Sequence, residues 1–103
     1  MIRHCVMLNV PAGAQEELKA VLAGLADLVQ ALDGCCGFAA GPNRDFEGKS
    51  PNHPFGFMFD AKDEAALQAY ADHPEHKALG AKLVSLCQDG ADGIVVYDIE
   101  VSA

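Results

Sequence analysis

The hydrophobic pattern switches repeatedly between a two-residue and a 3.6-residue period, and the order of those switches constrains the fold more than any single motif. Residues 2–10, IRHCVMLNV, are apolar and β-branched and stop at Pro11-Ala12-Gly13. On a strand, Ile2, His4, Val6, Leu8 and Val10 share one face, so His4 is the lone polar side chain in an apolar row. Over 15–32 the spacing lengthens: Leu18, Val21, Leu22, Leu25, Leu28, Val29 and Leu32 follow one helical stripe, and Gly34 supplies a stop. Glu16 and Glu17 in the first turn suit the helix dipole. A short strand over 36–41 closes at Gly41-Pro42-Asn43, where proline marks an edge or a strand end. The stretch from Pro42 to Pro54 has no period, and Phe46 is its only aromatic. Loops of that length are functional or mobile.

Residues 55–60, FGFMFD, then read as a strand with Phe55, Phe57 and Phe59 on one face. A helix starts near Asp60 or Asp63, runs through Leu67 and Tyr70, and breaks at Asp72-His73-Pro74. Pro74 restarts it, because proline is preorganised for a first helical position, and Leu79, Leu83, Leu86 and Cys87 mark the second piece. Residues 94–101, IVVYDIEV, are the last strand. The order β-α-β-β-α-β predicts a single α+β domain over 1–103 of the ferredoxin-like kind. That is a four-stranded antiparallel sheet with its helices on one face and strands one and three central. With His4 turned toward the helices, Cys5, Met7, Met58, Val96 and Ile94 are expected on the open face. An apolar sheet face of that size calls for a cover, and a second copy packed sheet to sheet supplies one. A homodimer is therefore expected.

Charge narrows the partners. Fifteen acidic residues against seven basic ones give a net charge of −8, which repels nucleic acid and anionic membrane surfaces alike. No apolar stretch is long enough to span a bilayer, and the start of the chain lacks the charged head and apolar core of a secretory leader. The four cysteines lack zinc-ligand spacing, and Cys35-Cys36 is the one pair placed for oxidation. A cytoplasmic location with reduced thiols is expected. Neither a metal nor another cofactor is called for.

The reactive side chains concentrate in residues 70–80, YADHPEHKALG. Tyr70, His73 and His76 follow at intervals of three around the proline, so Tyr70 and His73 are expected to face alike, with His76 at the start of the next helix. An imidazole beside a phenol can take a proton from a weakly acidic carbon or hydroxyl. His4 reaches the same cavity if its strand face packs on this helix. Three readings remain open: histidines that cap the kink, a small-molecule pocket with acid–base function, or a metal held by His73 and His76 with His4 or His53. The last lacks a carboxylate at ligand-like spacing.

His4, the Gly41-Pro42-Asn43 turn, Phe57-x-Phe59, Asp98 and above all Leu67-x-x-Tyr70-x-x-His73-Pro74-x-His76 resemble the stress-responsive dimeric α/β-barrel (Dabb) family. The match spans nearly the whole chain. The resemblance implies a ferredoxin-like protomer whose sheet packs on its partner's sheet. It also implies a role for each residue by analogy with members of the olivetolic acid cyclase type, which close polyketide chains by aldol condensation. His76 would abstract a proton, and Tyr70 and His4 would position a carbonyl oxygen, with His73, Phe57 and Phe59 against a small organic ligand. Ile99 stands where many relatives carry tyrosine. Bacterial members without an assigned activity leave two alternatives: a non-catalytic stress-protective or interaction dimer, and a cofactor-independent monooxygenase.

Overall fold

The computed structural model describes residues 1–102. Four strands and three helices follow in the order β1 (Ile2–Leu8), α1 (Gln15–Ala31), β2 (Cys35–Pro42), β3 (Phe55–Ala61), α2 (Glu64–Asp72), α3 (Pro74–Leu86) and β4 (Ile94–Glu100). The sheet is antiparallel throughout and ordered β2-β3-β1-β4. This is the ferredoxin-like α+β fold, with strands one and three in the middle.

α1 forms because its stripe has something to bury against. Leu18, Val21, Leu22, Leu25, Leu28 and Val29 are all buried, each worth on the order of 2 kcal/mol of transfer free energy. They meet Val6, Leu8, Phe57 and Phe59 from the sheet. The helix ends ahead of Gly34, whose φ of +81° suits a residue without a side chain. β1 is two residues shorter than the pattern suggests. Asn9 leaves the ladder to bond with Gly93 and Gln88, although Val10 beyond it is still buried.

The register fixes which side chains share a face. His4 lies opposite Phe59 on β3 and Asp98 on β4, and Val6 lies opposite Phe57 and Val96. Directly paired residues point the same way. Val96 and Ile94 therefore stand on the helix side with Val6 and Leu8, which corrects the expectation that they line the open face. The open face instead carries Cys5, Met7, Met58, Val95, Tyr97 and Ile99, with the Arg3–Asp60 ion pair near one end. Cys35 and Cys36, adjacent on β2, take opposite sides, one buried and one exposed.

The β2–β3 connection is braced rather than loose. Asn43 Nδ2 donates to Ser50 Oγ at 2.8 Å and to the His53 carbonyl at 2.9 Å. The Ser50 amide donates to Asp45 Oδ1 at 2.8 Å. Phe46 projects from this loop and is 98% exposed. No helix is long and apolar enough to cross a membrane among the described residues.

Candidate functional site

The helix break at His73 positions the site. Asp63 caps α2 by accepting from the Ala66 amide at 2.9 Å, and the helix runs until His73 turns extended. His73 Nδ1 accepts from the Glu75 amide at 3.1 Å and so caps α3. That bond uses the imidazole as a backbone cap. His73 lies outside the cavities described below, and the expectation that it faces alike with Tyr70 is corrected, because the chain leaves helical geometry between them. The kink instead brings His76 over Tyr70.

Four rings form a connected row. His4 and Phe59 centroids are 5.0 Å apart, Phe59 and Tyr70 4.6 Å, Tyr70 and His76 4.3 Å, and His4 and Tyr70 5.7 Å. Three sequence-distant elements, β1, α2 and α3, thus deliver His4, Tyr70 and His76 to one place. Phe59, 1% exposed, lies beneath them as packing.

The two histidines are held in the same tautomeric sense. His76 Nδ1 lies 3.0 Å from the Ala71 carbonyl, which can only accept, so Nδ1 carries a hydrogen, and in the neutral imidazole Nε2 is the nitrogen with the free lone pair. His4 Nδ1 lies 2.6 Å from Asp98 Oδ1 and donates to the carboxylate. Asp98 is the functional candidate that residue-type reasoning reached only through resemblance; its partner His4 lies across a strand pair 94 positions away in sequence.

Tyr70 is the most buried of the polar groups, at 1% exposure. Burial pushes its phenol well above the ordinary tyrosine range, so it remains a protonated donor. Oη makes no hydrogen bond to the protein among the described residues. No fully buried polar side-chain atom among them lacks a partner, so Oη keeps an opening to the cavity.

Two cavities meet at this row of rings. One, about 450 Å³, is the more polar, with a mixed lining of Ile2, Glu64, Leu67, Gln68, Asp98 and Glu100 together with His4, Tyr70 and His76. The other, about 490 Å³, shares those three residues and is otherwise mostly apolar, with Val6, Leu25, Phe57, Leu83, Ile94 and Val96. Together they make an amphipathic cleft between the helices and the uncovered side of β4. Phe57 lines it. The β2–β3 loop contributes no lining residue. No group of three or more His, Cys, Asp or Glu side chains is placed to hold a metal among the described residues.

The fold and this cleft define a ferredoxin-like α+β protein with a histidine–tyrosine centre open to solvent on one flank. The family profile of the stress-responsive A/B barrel domain matches residues 2–101, and the chain belongs to that family, Dabb. Among solved structures it is similar to a dimeric ferredoxin-like protein of unknown function from Jannaschia sp. CCS1. The two share 46% identity over 97% of this chain and 98% of that one, with a TM-score of 0.92. A protein from Arabidopsis thaliana shares the fold at 18% identity, covering 100% of this chain and 97% of that one, with a TM-score of 0.82. So does a Deinococcus radiodurans protein provisionally described as an antibiotic biosynthesis monooxygenase, at 16% identity, 100% and 94% coverage and a TM-score of 0.79. No curated protein matches the sequence.

Proposed function

We propose that this chain forms a homodimer through its open sheet face and that each protomer binds a small amphipathic organic molecule, on which His76 acts as a general base without a cofactor. The observation that carries the reading is the meeting of His4, Tyr70 and His76 where the polar and apolar cavities join. His76 Nε2 removes a proton from carbon next to a carbonyl, and the C–H electron pair moves into the developing enolate. Tyr70 Oη–H donates to the carbonyl oxygen as it gains charge, a role that a buried, protonated phenol suits. Asp98 holds the His4 ring so that its Nε2 faces no competing protein partner. The enolate carbon then adds to a second carbonyl, as in an aldol cyclisation, and His76 returns its proton to the new alkoxide; in a lyase the enolate electron pair instead forms a C=C bond as the β carbon–leaving group bond breaks, and His76 protonates the departing group.

Two features support the dimer. Met58, Tyr97 and Ile99 are 41%, 57% and 51% exposed on one sheet face, an apolar area that favours a cover. The Jannaschia relative is described as dimeric. Four free thiols fit a reducing, cytoplasmic setting.

The test compares wild type with His76→Ala and His76→Gln across a library of β-dicarbonyl and polyketide-like compounds, following both ligand-induced thermal stabilisation and solvent-deuterium exchange at the acidic carbon. Exchange catalysed by wild type and lost in both variants, with the dimer intact, supports the reading. Ligand-independent loss of melting temperature in both variants, with no exchange in wild type, assigns the histidines to structure instead.

A further inference from the structure

The polar cavity has a charge bias that the proposed chemistry does not require. Its wall carries three carboxylates, Glu64 from the first turn of α2 and Asp98 and Glu100 from β4. Only Asp98 has a partner, the His4 imidazole. Glu64 and Glu100 form no ion pair among the described residues; of the cations next to the cleft's β1 wall, Arg3 is engaged with Asp60 on the opposite sheet face, and the Met1 ammonium also acts on Asp60. Lys77 lines the apolar cavity and not the polar one.

A second observation points to a ligand there independently of charge. Tyr70 is 1% exposed and lines both cavities, yet its hydroxyl has no protein partner. A donor so placed bonds to water or to the polar atom of whatever displaces that water. Across the ring row the wall turns to Phe57, Leu83, Ile94 and Val96, so a bound molecule faces carboxylates at one end and hydrocarbon at the other.

We infer that the cleft selects an amphipath whose polar head bears no negative charge, with a cationic amine favoured, and turns away free carboxylates and phosphate-bearing thioesters. This rests on the cleft being the ligand site, and it names the class of ligand that site takes. An anionic head meets uncompensated Glu64 and Glu100, and a protein of net charge −8 adds a field of the same sign. An ammonium head gains from both carboxylates, while the alkyl chain is buried in the apolar cavity. A hydroxyl or ketone head bonds to Tyr70 and ranks between the two.

The experiment titrates the full-length protein at neutral pH with octylamine, 1-octanol and octanoate below their aggregation limits. Binding is followed by calorimetry and by NMR shifts of residues around Tyr70. Octylamine should bind about tenfold or more tighter than octanoate at low ionic strength, with the gap shrinking as salt is added. In Glu64→Gln/Glu100→Gln the gap should narrow to within about threefold while 1-octanol binding is unchanged. Octanoate binding as tightly as octylamine overturns the charge assignment and leaves the cleft as the ligand site. Amine binding that survives the double substitution undiminished also overturns it, since the attraction then arises elsewhere on an acidic surface. If none of the three probes shifts residues around Tyr70, the cleft reading itself fails, and this inference with it.

Discussion

Replacing Tyr70 by phenylalanine separates the packing of this residue from its chemistry. The ring is 1% exposed and touches Phe59 and His76 at centroid distances of 4.6 and 4.3 Å. Phenylalanine keeps those contacts. The hydroxyl it deletes has no protein partner, so the substitution removes none of the roughly 0.5–1.5 kcal/mol that a net intramolecular hydrogen bond contributes. It also relieves some desolvation of a polar atom. The expected change in unfolding free energy is within about 0.5 kcal/mol of zero, of either sign. Tyr70→Ala, by contrast, empties a ring-sized space and should cost about 3–5 kcal/mol. For a domain near 100 residues each kcal/mol moves Tm by about 4–8 °C, so the two variants separate clearly. Urea denaturation followed by circular dichroism measures both, at one fixed protein concentration because the proposed dimer would contribute to apparent stability. Alkaline pH adds a signature. Burial raises the folded-state phenol above its unfolded value, so above pH of about 10 the unfolded state releases a proton that the folded state retains. Stability falls there as pH rises, and Tyr70→Phe should abolish that part of the fall. A loss above about 1.5 kcal/mol in Tyr70→Phe at neutral pH would show that Oη holds the fold together, and would refute its assignment as a free donor.

Three other outcomes test the remaining structure. Met58→Glu puts a charge in the middle of the open sheet face beside Cys5, and sedimentation should show the mass falling from two chains to one while the circular dichroism spectrum is retained; an unchanged dimer refutes sheet-to-sheet pairing. Gly93→Ala drives a Cβ into the Gln88 carbonyl and toward Cys87 Cβ at 3.2 Å, at the turn that also binds Asn9. It should lower stability by about 1–3 kcal/mol in a melt, as overpacking does. Arg3 Nε and a terminal nitrogen lie 2.9 and 3.2 Å from the Asp60 carboxylate and hold it below the ordinary carboxylate range. The stabilisation is present above the unfolded value of about 3.9 and is lost as pH falls through the depressed folded value, so Asp60→Asn should flatten the acid limb of a stability–pH profile.

Much of the fold was legible because burial repeats with a period. The α1 stripe from Leu18 to Val29 and the Phe57–Phe59 alternation each have one face against the core, and that asymmetry is written in the residue types. Pro74 announced the break between α2 and α3 for an equally local reason, its fit to a first helical position. What spacing misjudged was His73. An interval of three implies a shared face only while the helix continues, and the backbone at His73 is extended, at φ −65° and ψ 133°. The His73 imidazole caps the next helix, while His76, expected beside Tyr70 from the resemblance, packs on it at a centroid distance of 4.3 Å.

β4 shows why the other half of the site was harder to read. In IVVYDIEV both alternating sets are apolar at one end, Ile94 and Val96 on one side and Val95, Tyr97 and Ile99 on the other. The acids Asp98 and Glu100 extend the Ile94–Val96 set, so that set resembles a solvent face, and it is placed opposite the helices by any rule that sends charge outward. The register puts it on the helix side all the same. The rule fails because β4 is an edge strand that the helices do not cover: Val96, although it shares a side with the fully buried Leu8, is 48% exposed. Water therefore enters between helices and sheet along this one strand, and carboxylates can stand there without being buried. In the proposed reading, that same gap is the way in to His76 and Tyr70. A slip of one residue in the β1–β4 pairing would turn Asp98 to the open face and leave His4 without its partner. The site thus depends on a register that neither strand encodes alone.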